Sequence, residues 1–126
     1  MRPEILYLTD IVDASDAILR FLEDVEQSNF LKDELRQSAV LQKLIVIGEA
    51  AARLSEEFRD RHQQIKWRSV IGLRNSAVHE YFSINWEVVW ATATQDAPLL
   101  REKVSAILAD EYSDQESTDK PFDQAE

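Results

Sequence analysis

The sequence has 126 residues and a mass of 14.6 kDa, enough for one domain with a modest hydrophobic core. Its two glycines and three prolines are too few for the many tight turns of a β-sandwich or barrel. The absence of cysteine excludes disulfides, thiolate chemistry and zinc sites that use sulfur, and two histidines are too few for a His-rich metal site. We therefore expect neither a metal nor another cofactor.

No apolar run approaches the roughly 20 residues that are needed to span a bilayer. Asp10, Asp13 and Asp16 occupy the region where a signal peptide is apolar. The sequence thus predicts a soluble, cytoplasmic, all-helical protein without membrane contact.

The net charge of −10 is unevenly distributed along the chain. Residues 110–126 carry seven acidic residues and one lysine, whereas residues 53–74 carry six basic and three acidic residues. A positive segment in an acidic chain either forms a surface that attracts phosphate or is an ordinary solvated helix face, and the charge pattern leaves both interpretations open.

Apolar residues recur at three- and four-residue steps from about residue 4 to 26, which predicts a first amphipathic helix. Ser28 and Asn29 interrupt the pattern, and a second helix is predicted from about residue 31 into the fifties. Its middle, Leu41 to Ala52, is apolar nearly all round, so we expect burial on several sides.

Within that second helix, Gly48 and the alanines that follow Glu49 permit another helix to approach closely. Glu49 itself is either a residue at the surface flank or a buried, paired carboxylate. Because glutamate is seldom buried, the flank is the favoured interpretation.

Ser55 is the predicted N-cap of a short third helix, and residues 60–66 form a connection to a fourth helix from Trp67 to about Tyr81. Asn85 is the predicted N-cap of a fifth helix, which Pro98 should kink because proline removes a backbone donor.

These elements predict an antiparallel bundle of four to five helices over residues 1–109. The acidic, polar segment 110–126 is predicted to be a disordered tail.

The fourth helix carries the residues that could take part in catalysis. At 100° per residue, Arg74 lies beside the apolar face, whereas Asn75 and His79 lie on the opposite side, four residues apart. By itself this pattern describes a half-buried arginine and an exposed histidine with no catalytic role.

Arg74 and His79 lie about 140° apart, so one regular helix does not readily aim both at one point. A second copy related by a two-fold axis could bring both copies of Asn75 and His79 together, with the arginines at the sides of the cleft. Histidine supplies an acid or base near neutral pH, arginine a cation shaped for phosphate, and Asn75 an amide to orient the phosphate or the histidine. This set suits metal-free cleavage of an RNA phosphodiester.

The fourth helix contains Arg74-Asn75, followed after three residues by His79 and after one more by Tyr81. This pattern resembles the signature of HEPN-domain proteins, in which an arginine and a histidine separated by four residues form a ribonuclease motif. The tyrosine two places after the histidine, followed by Phe82, resembles the HepT-type toxin branch. The segments 47–51 and Trp67-Arg68 also look like this family, and the resemblance covers about residues 4–109.

The resemblance implies a HEPN-like bundle that forms a homodimer through the motif helix, with both copies of Arg74 and His79 in a shared cleft. It implies a metal-independent endoribonuclease that acts as a toxin on cellular RNA, with tRNA as one expected target. It also implies an antitoxin of the minimal nucleotidyltransferase (MNT) type, which transfers AMP from ATP to Tyr81. The added nucleotide would bring bulk and negative charge to the place where the RNA phosphate sits.

Arg53, Lys66 and Arg68 are the candidate RNA-binding residues within the basic segment. Two other classes of function stay open: a non-catalytic helical module that presents a substrate to a nucleotidyltransferase, and a dimeric scaffold in which Arg74 and His79 are structural. The intact set of Arg74, Asn75, His79 and Tyr81 favours the ribonuclease, because a scaffold has no need of a histidine at that position.

Overall fold

The computed structural model describes the backbone of residues 2–79 and 84–124, and the side chains of residues 2–75 and 84–112. Within these ranges the chain is helical and contains no strand, as the sequence predicts. The helices are α1 (Glu4–Phe21), α2 (Gln27–Phe30), α3 (Glu34–Arg53), α4 (Glu56–Arg61), α5 (Trp67–His79), α6 (Trp86–Ala91) and α7 (Ala97–Gln124). In this part of the chain, no helix has the length and apolar character needed to cross a membrane.

The core lies between α1, α3 and α7, which pack along their apolar faces. Arg36 Nε, at the start of α3, donates a hydrogen bond to the carbonyl oxygen of Phe21, at the end of α1, at 3.0 Å. Since the start of one helix lies beside the end of the other, α1 and α3 are antiparallel. The two short helices α2 and α4 each insert one fully buried phenylalanine into this core, Phe30 and Phe58. The fully buried aliphatic side chains come from the three long helices: Leu8, Ile11, Ile18, Val40, Ile47 and Val104.

The first connection differs from the predicted one. α1 ends at Phe21 instead of about residue 26, and Asp24 follows in the left-handed region at φ 60°, a conformation that aspartate tolerates better than most residues. Ser28 and Asn29, predicted as a break, lie within α2. α3 then begins after Asp33, whose carboxylate accepts a hydrogen bond from the backbone N–H of Arg36 at 3.0 Å and one from the guanidinium of Arg36 at 2.6 Å. These two hydrogen bonds lower the pKa of Asp33.

Two predicted helix caps are confirmed. The hydroxyl of Ser55 accepts a hydrogen bond from the backbone N–H of Phe58 at 3.1 Å, and α4 begins at the next residue. Asn85 accepts hydrogen bonds from the backbone N–H groups of Glu87 and Val88, and α6 begins at Trp86. The side chains of serine and asparagine are short enough to satisfy the first free N–H groups of a helix.

Near Pro98, where a kink is predicted, the chain forms a wide helical turn and does not break. A π-helical turn from Thr92 to Asp96 connects α6 to α7, and Pro98 is the second residue of α7. Proline cannot donate a hydrogen bond to the carbonyl four residues earlier, and a π-helical turn is one way in which a helix accommodates that loss.

The last helix extends past residue 109, the predicted end of the bundle. α7 continues to Gln124, Glu111 Oε2 lies 2.6 Å from His62 Nε2, and Tyr112 packs against the core. No glycine follows residue 109 that could stop the helix there. The bundle therefore reaches at least Tyr112, and the assignment of the remaining residues to a separate tail stays a prediction.

α5 packs mainly against α3, and Gly48 is the point of closest approach. A methyl group at Gly48 would lie 2.7 Å from the backbone nitrogen of Arg74 and 3.1 Å from the carbonyl oxygen of Val70. The predicted close approach at Gly48 is thus confirmed, and the residue of α5 that lies closest to Gly48 is Arg74.

We predict that Gly48→Ala destabilises the protein by about 1–3 kcal/mol, because backbone atoms of α5 must move to admit the methyl group. Ser38→Ala, at an exposed position of the same helix, should change the free energy of unfolding little. Urea unfolding at one protein concentration compares the two variants. Equal stability of Gly48→Ala and the wild type would show that the contact is loose.

Candidate active site

Arg74 lies in the middle of α5, where its backbone rests on Gly48. Its side chain is 36% exposed, so the guanidinium is accessible from solvent while the stem covers the helix contact. The nearest anion among the described side chains is Glu49, whose Oε1 lies 3.7 Å from Nη1 of Arg74. A fixed, accessible cation on a firmly seated helix is suited to bind phosphate.

Asn75 is exposed on α5 next to Arg74. His79 is the last residue of α5, and helical geometry places its backbone position on the same side of the helix as Asn75, about 6 Å farther along the axis. The side chain of His79 and the whole of Tyr81 lie outside the described residues. Arg74 and Asn75 are thus neighbours in the chain that point to different sides of α5, and the proximity of His79 and Tyr81 to them stays a prediction.

The three predicted RNA-binding residues are all exposed, but they do not form one cluster. Lys66 and Arg68 lie at the start of α5 and line one shallow groove with Arg59 and Trp67, although Glu56 and Asp60 of α4 line it too. Arg53 is the last residue of α3 and does not line that groove.

The start of α5 is firmly anchored beside that groove. The indole Nε1 of Trp67 donates a hydrogen bond to the carbonyl oxygen of His62 at 3.0 Å, and the ring meets Phe58 edge-on with 6.3 Å between centroids. Trp67 is 7% exposed, so α5 is held at its first residue as well as at Gly48.

A second, apolar groove of about 530 Å³ lies between α3, α5 and the first turn of α7. Lys66, Asp96 and Lys103 are the charged residues that line it. Leu99 remains 57% exposed there, beside the motif helix. The other principal apolar residues of this groove are Leu44, Ile47, Val70, Leu73 and Leu100.

Two of these features are absent from the sequence-based prediction. Glu49 lies at the surface flank as expected, with its side chain 47% exposed, but the sequence does not reveal that it faces Arg74. The only signal is its place directly after Gly48, the residue that admits α5. The residues of the apolar groove follow the same apolar periodicity as ordinary core residues, so the sequence does not distinguish them.

Comparison with known proteins assigns this chain to a family. A family model described as "Ribonuclease HepT-like" matches residues 11–107. A protein of Thermococcus cleftensis named "Probable ribonuclease HepT" is 35% identical over 97 residues, which cover 77% of this chain and 88% of the relative. No solved structure matches the chain.

Two further relatives carry ribonuclease names. A protein of Caldanaerobacter subterraneus subsp. tengcongensis named "Putative RNase" is 31% identical over 105 residues, 83% of this chain and 94% of the relative. A protein of Methanocaldococcus jannaschii with the same designation is 33% identical over 112 residues, 89% of this chain and 93% of the relative. The chain therefore belongs to the HepT-like ribonuclease family.

Proposed function

We propose that the protein is a metal-independent endoribonuclease that cleaves cellular RNA, with tRNA among its targets, and that it acts as the toxin of a toxin–antitoxin pair in the cytoplasm. The observation that carries the proposal is the accessible Arg74, seated on Gly48 and followed by the exposed Asn75. Family membership supports it as well.

The roles of the three residues follow from their chemistry. His79 accepts the proton of the ribose 2′-hydroxyl, and the 2′-oxygen attacks phosphorus. The bond to the 5′-oxygen breaks as that oxygen takes up a proton from water, which leaves a 2′,3′-cyclic phosphate and a 5′-hydroxyl. Arg74 stabilises the negative charge that builds on the phosphoryl oxygens, and Asn75 orients the phosphate or the imidazole.

The proposed active unit is a homodimer whose interface contains α5. A glycine within a helix costs up to about 1 kcal/mol relative to alanine, yet a methyl group at Gly72 would meet no atom of the described residues within 4 Å. A glycine with this space leaves room for another helix to approach closely. The apolar groove with the exposed Leu99 adds surface that a second copy could cover.

The proposed RNA path runs from the motif toward the start of α5. Arg68 lies seven residues before Asn75, about 10 Å along the helix and near the same face. Together with Lys66 it offers cations for neighbouring phosphates, and Arg53 offers another at the end of α3.

The proposed regulator is an MNT-type nucleotidyltransferase antitoxin that transfers AMP to Tyr81. The two described tyrosines are poor alternatives as acceptors. Burial, with nearby Glu4 and Glu111, raises the pKa of Tyr112, and Tyr7 is half-buried with the guanidinium of Arg2 at 4.7 Å from its ring centroid.

We predict that the wild-type protein cleaves total RNA in the presence of EDTA. Arg74→Ala and His79→Ala should each lower the rate by about 10²–10⁴-fold, the usual cost of losing a group that acts in the transition state. Arg20→Ala, at an exposed arginine of α1, should keep the wild-type rate.

Circular dichroism would verify that these variants fold. Full cleavage by His79→Ala, prepared in parallel with the others, would refute the mechanism. An inactive wild-type protein would favour the non-catalytic module that serves a nucleotidyltransferase.

The dimer proposal predicts that Gly72→Gln yields a folded monomer in light scattering, because the described residues leave space for the new side chain, which would obstruct a second helix. Ser38→Gln, at an exposed position of α3, should leave the dimer intact. A wild-type monomer at micromolar concentration, or a Gly72→Gln dimer of wild-type affinity, would contradict an interface at α5.

For Tyr81, we predict that Tyr81→Phe keeps most of the ribonuclease activity but resists silencing by the antitoxin with ATP. Intact-mass measurement of the treated wild-type protein should show one or more added AMP units, and peptide mapping should place them on Tyr81. AMP on Tyr7 or Tyr112, or a Tyr81→Phe variant as inactive as His79→Ala, would show that these roles are wrong.

A further inference from the structure

Glu49 follows the glycine on which α5 rests, and its carboxylate faces the motif arginine across the helix contact. The 3.7 Å between Glu49 Oε1 and Arg74 Nη1 is an ion-pair distance and exceeds the length of a good hydrogen bond. Both side chains keep a large exposed fraction, 47% and 36%, so the pair lies at the surface beside the proposed cleft.

The Gly48 contact fixes the backbone of Arg74, but it does not fix the guanidinium. An arginine side chain has several rotatable bonds, and ordering it costs conformational entropy each time that it binds a ligand. A carboxylate on the neighbouring helix limits the directions that the guanidinium adopts, which reduces the ordering that remains when the substrate arrives.

We propose that Glu49 is a positioning residue, which holds the guanidinium of Arg74 in the orientation that it needs during RNA cleavage. This inference rests on the proposed ribonuclease function and adds to it a residue outside the Arg74–His79 motif. Glu49 acts through Arg74 and makes no contact with the reacting atoms.

The charge of Glu49 gives the proposal a distinctive kinetic signature. A carboxylate close to the RNA path repels phosphate, so its removal should leave KM unchanged or lower it. Removal of the same carboxylate also frees the guanidinium, which should lower kcat. Loss of positioning thus separates kcat from KM, whereas loss of a nearby negative charge alone affects only KM.

The test compares kcat and KM of the wild type, Glu49→Gln, Glu49→Asp and Glu102→Gln on one defined RNA. Glu102 is an exposed acidic residue of α7 and controls for the change in net charge. Glu49→Gln should lower kcat about two- to fivefold, the range expected for a solvent-exposed ion pair, with KM equal to or below the wild-type value. Glu49→Asp should recover part of kcat, and Glu102→Gln should match the wild type.

A higher kcat in Glu49→Gln would overturn the proposal, because Glu49 would then compete with phosphate for Arg74. Unchanged kinetics, or a higher KM at constant kcat, would overturn it too. Urea unfolding of Glu49→Gln, expected near the wild-type midpoint, separates these outcomes from a loss of stability.

A measurement independent of catalysis completes the test. In NMR spectra, with the Nε–Hε signal assigned by Arg74→Lys, Arg74 should be more ordered in the wild type than in Glu49→Gln. Equal order in the two proteins would overturn the proposal. If the wild type cleaves no RNA, the proposed function fails, and these spectra still decide whether Glu49 orders Arg74.

Discussion

The close approach of α5 to α3 at Gly48 is the constraint on which the candidate site depends. α5 packs mainly against α3, so the space available at one residue decides how near Arg74 comes to that helix. At 2.7 Å from the backbone nitrogen of Arg74, even a methyl group forces a shift. The same contact brings Glu49 within ion-pair distance of Arg74. One glycine therefore sets both the position of the arginine and the identity of its partner.

An acidic chain retains an accessible cationic site because several of its acids have partners elsewhere. Asp16 of α1 binds Arg101 of α7 at 2.8 Å, and Glu4 accepts a hydrogen bond at 2.6 Å from the backbone N–H of Ser55, just before α4. Glu111 lies 2.6 Å from His62 and 3.3 Å from Arg61. These contacts tie helices distant in sequence to one another, and they lie outside the segment from Lys66 to Asn75. The net charge of −10 is thus a poor guide to the surface that RNA would meet.

Local signals in the sequence predict most of the helices, and long-range contacts account for part of what they miss. Ser55, Asn85 and Pro98 act within one helical turn, so their effects on helix starts and on the turn before α7 could be read directly. The pairing of Glu49 with Arg74 joins residues 25 positions apart and depends on how deeply α5 settles on α3. No periodicity encodes that depth. The contacts that Glu111 and Tyr112 make beyond residue 109 are long-range as well, so composition does not record them.

The position of Arg74 on α5 also gives a reason why the proposed site would need two chains. Positions 74 and 79 lie about 140° apart around α5 and about 7.5 Å apart along it. The Glu49 carboxylate draws the guanidinium toward α3, away from the side of the helix on which Asn75 is exposed. A single phosphodiester would have to reach around the helix to meet both residues of one protomer. A two-fold axis beside α5 removes that difficulty, because each chain can then present its histidine position toward the arginine of the other. The contact that secures the arginine is therefore also the reason to expect that one protomer is insufficient for catalysis.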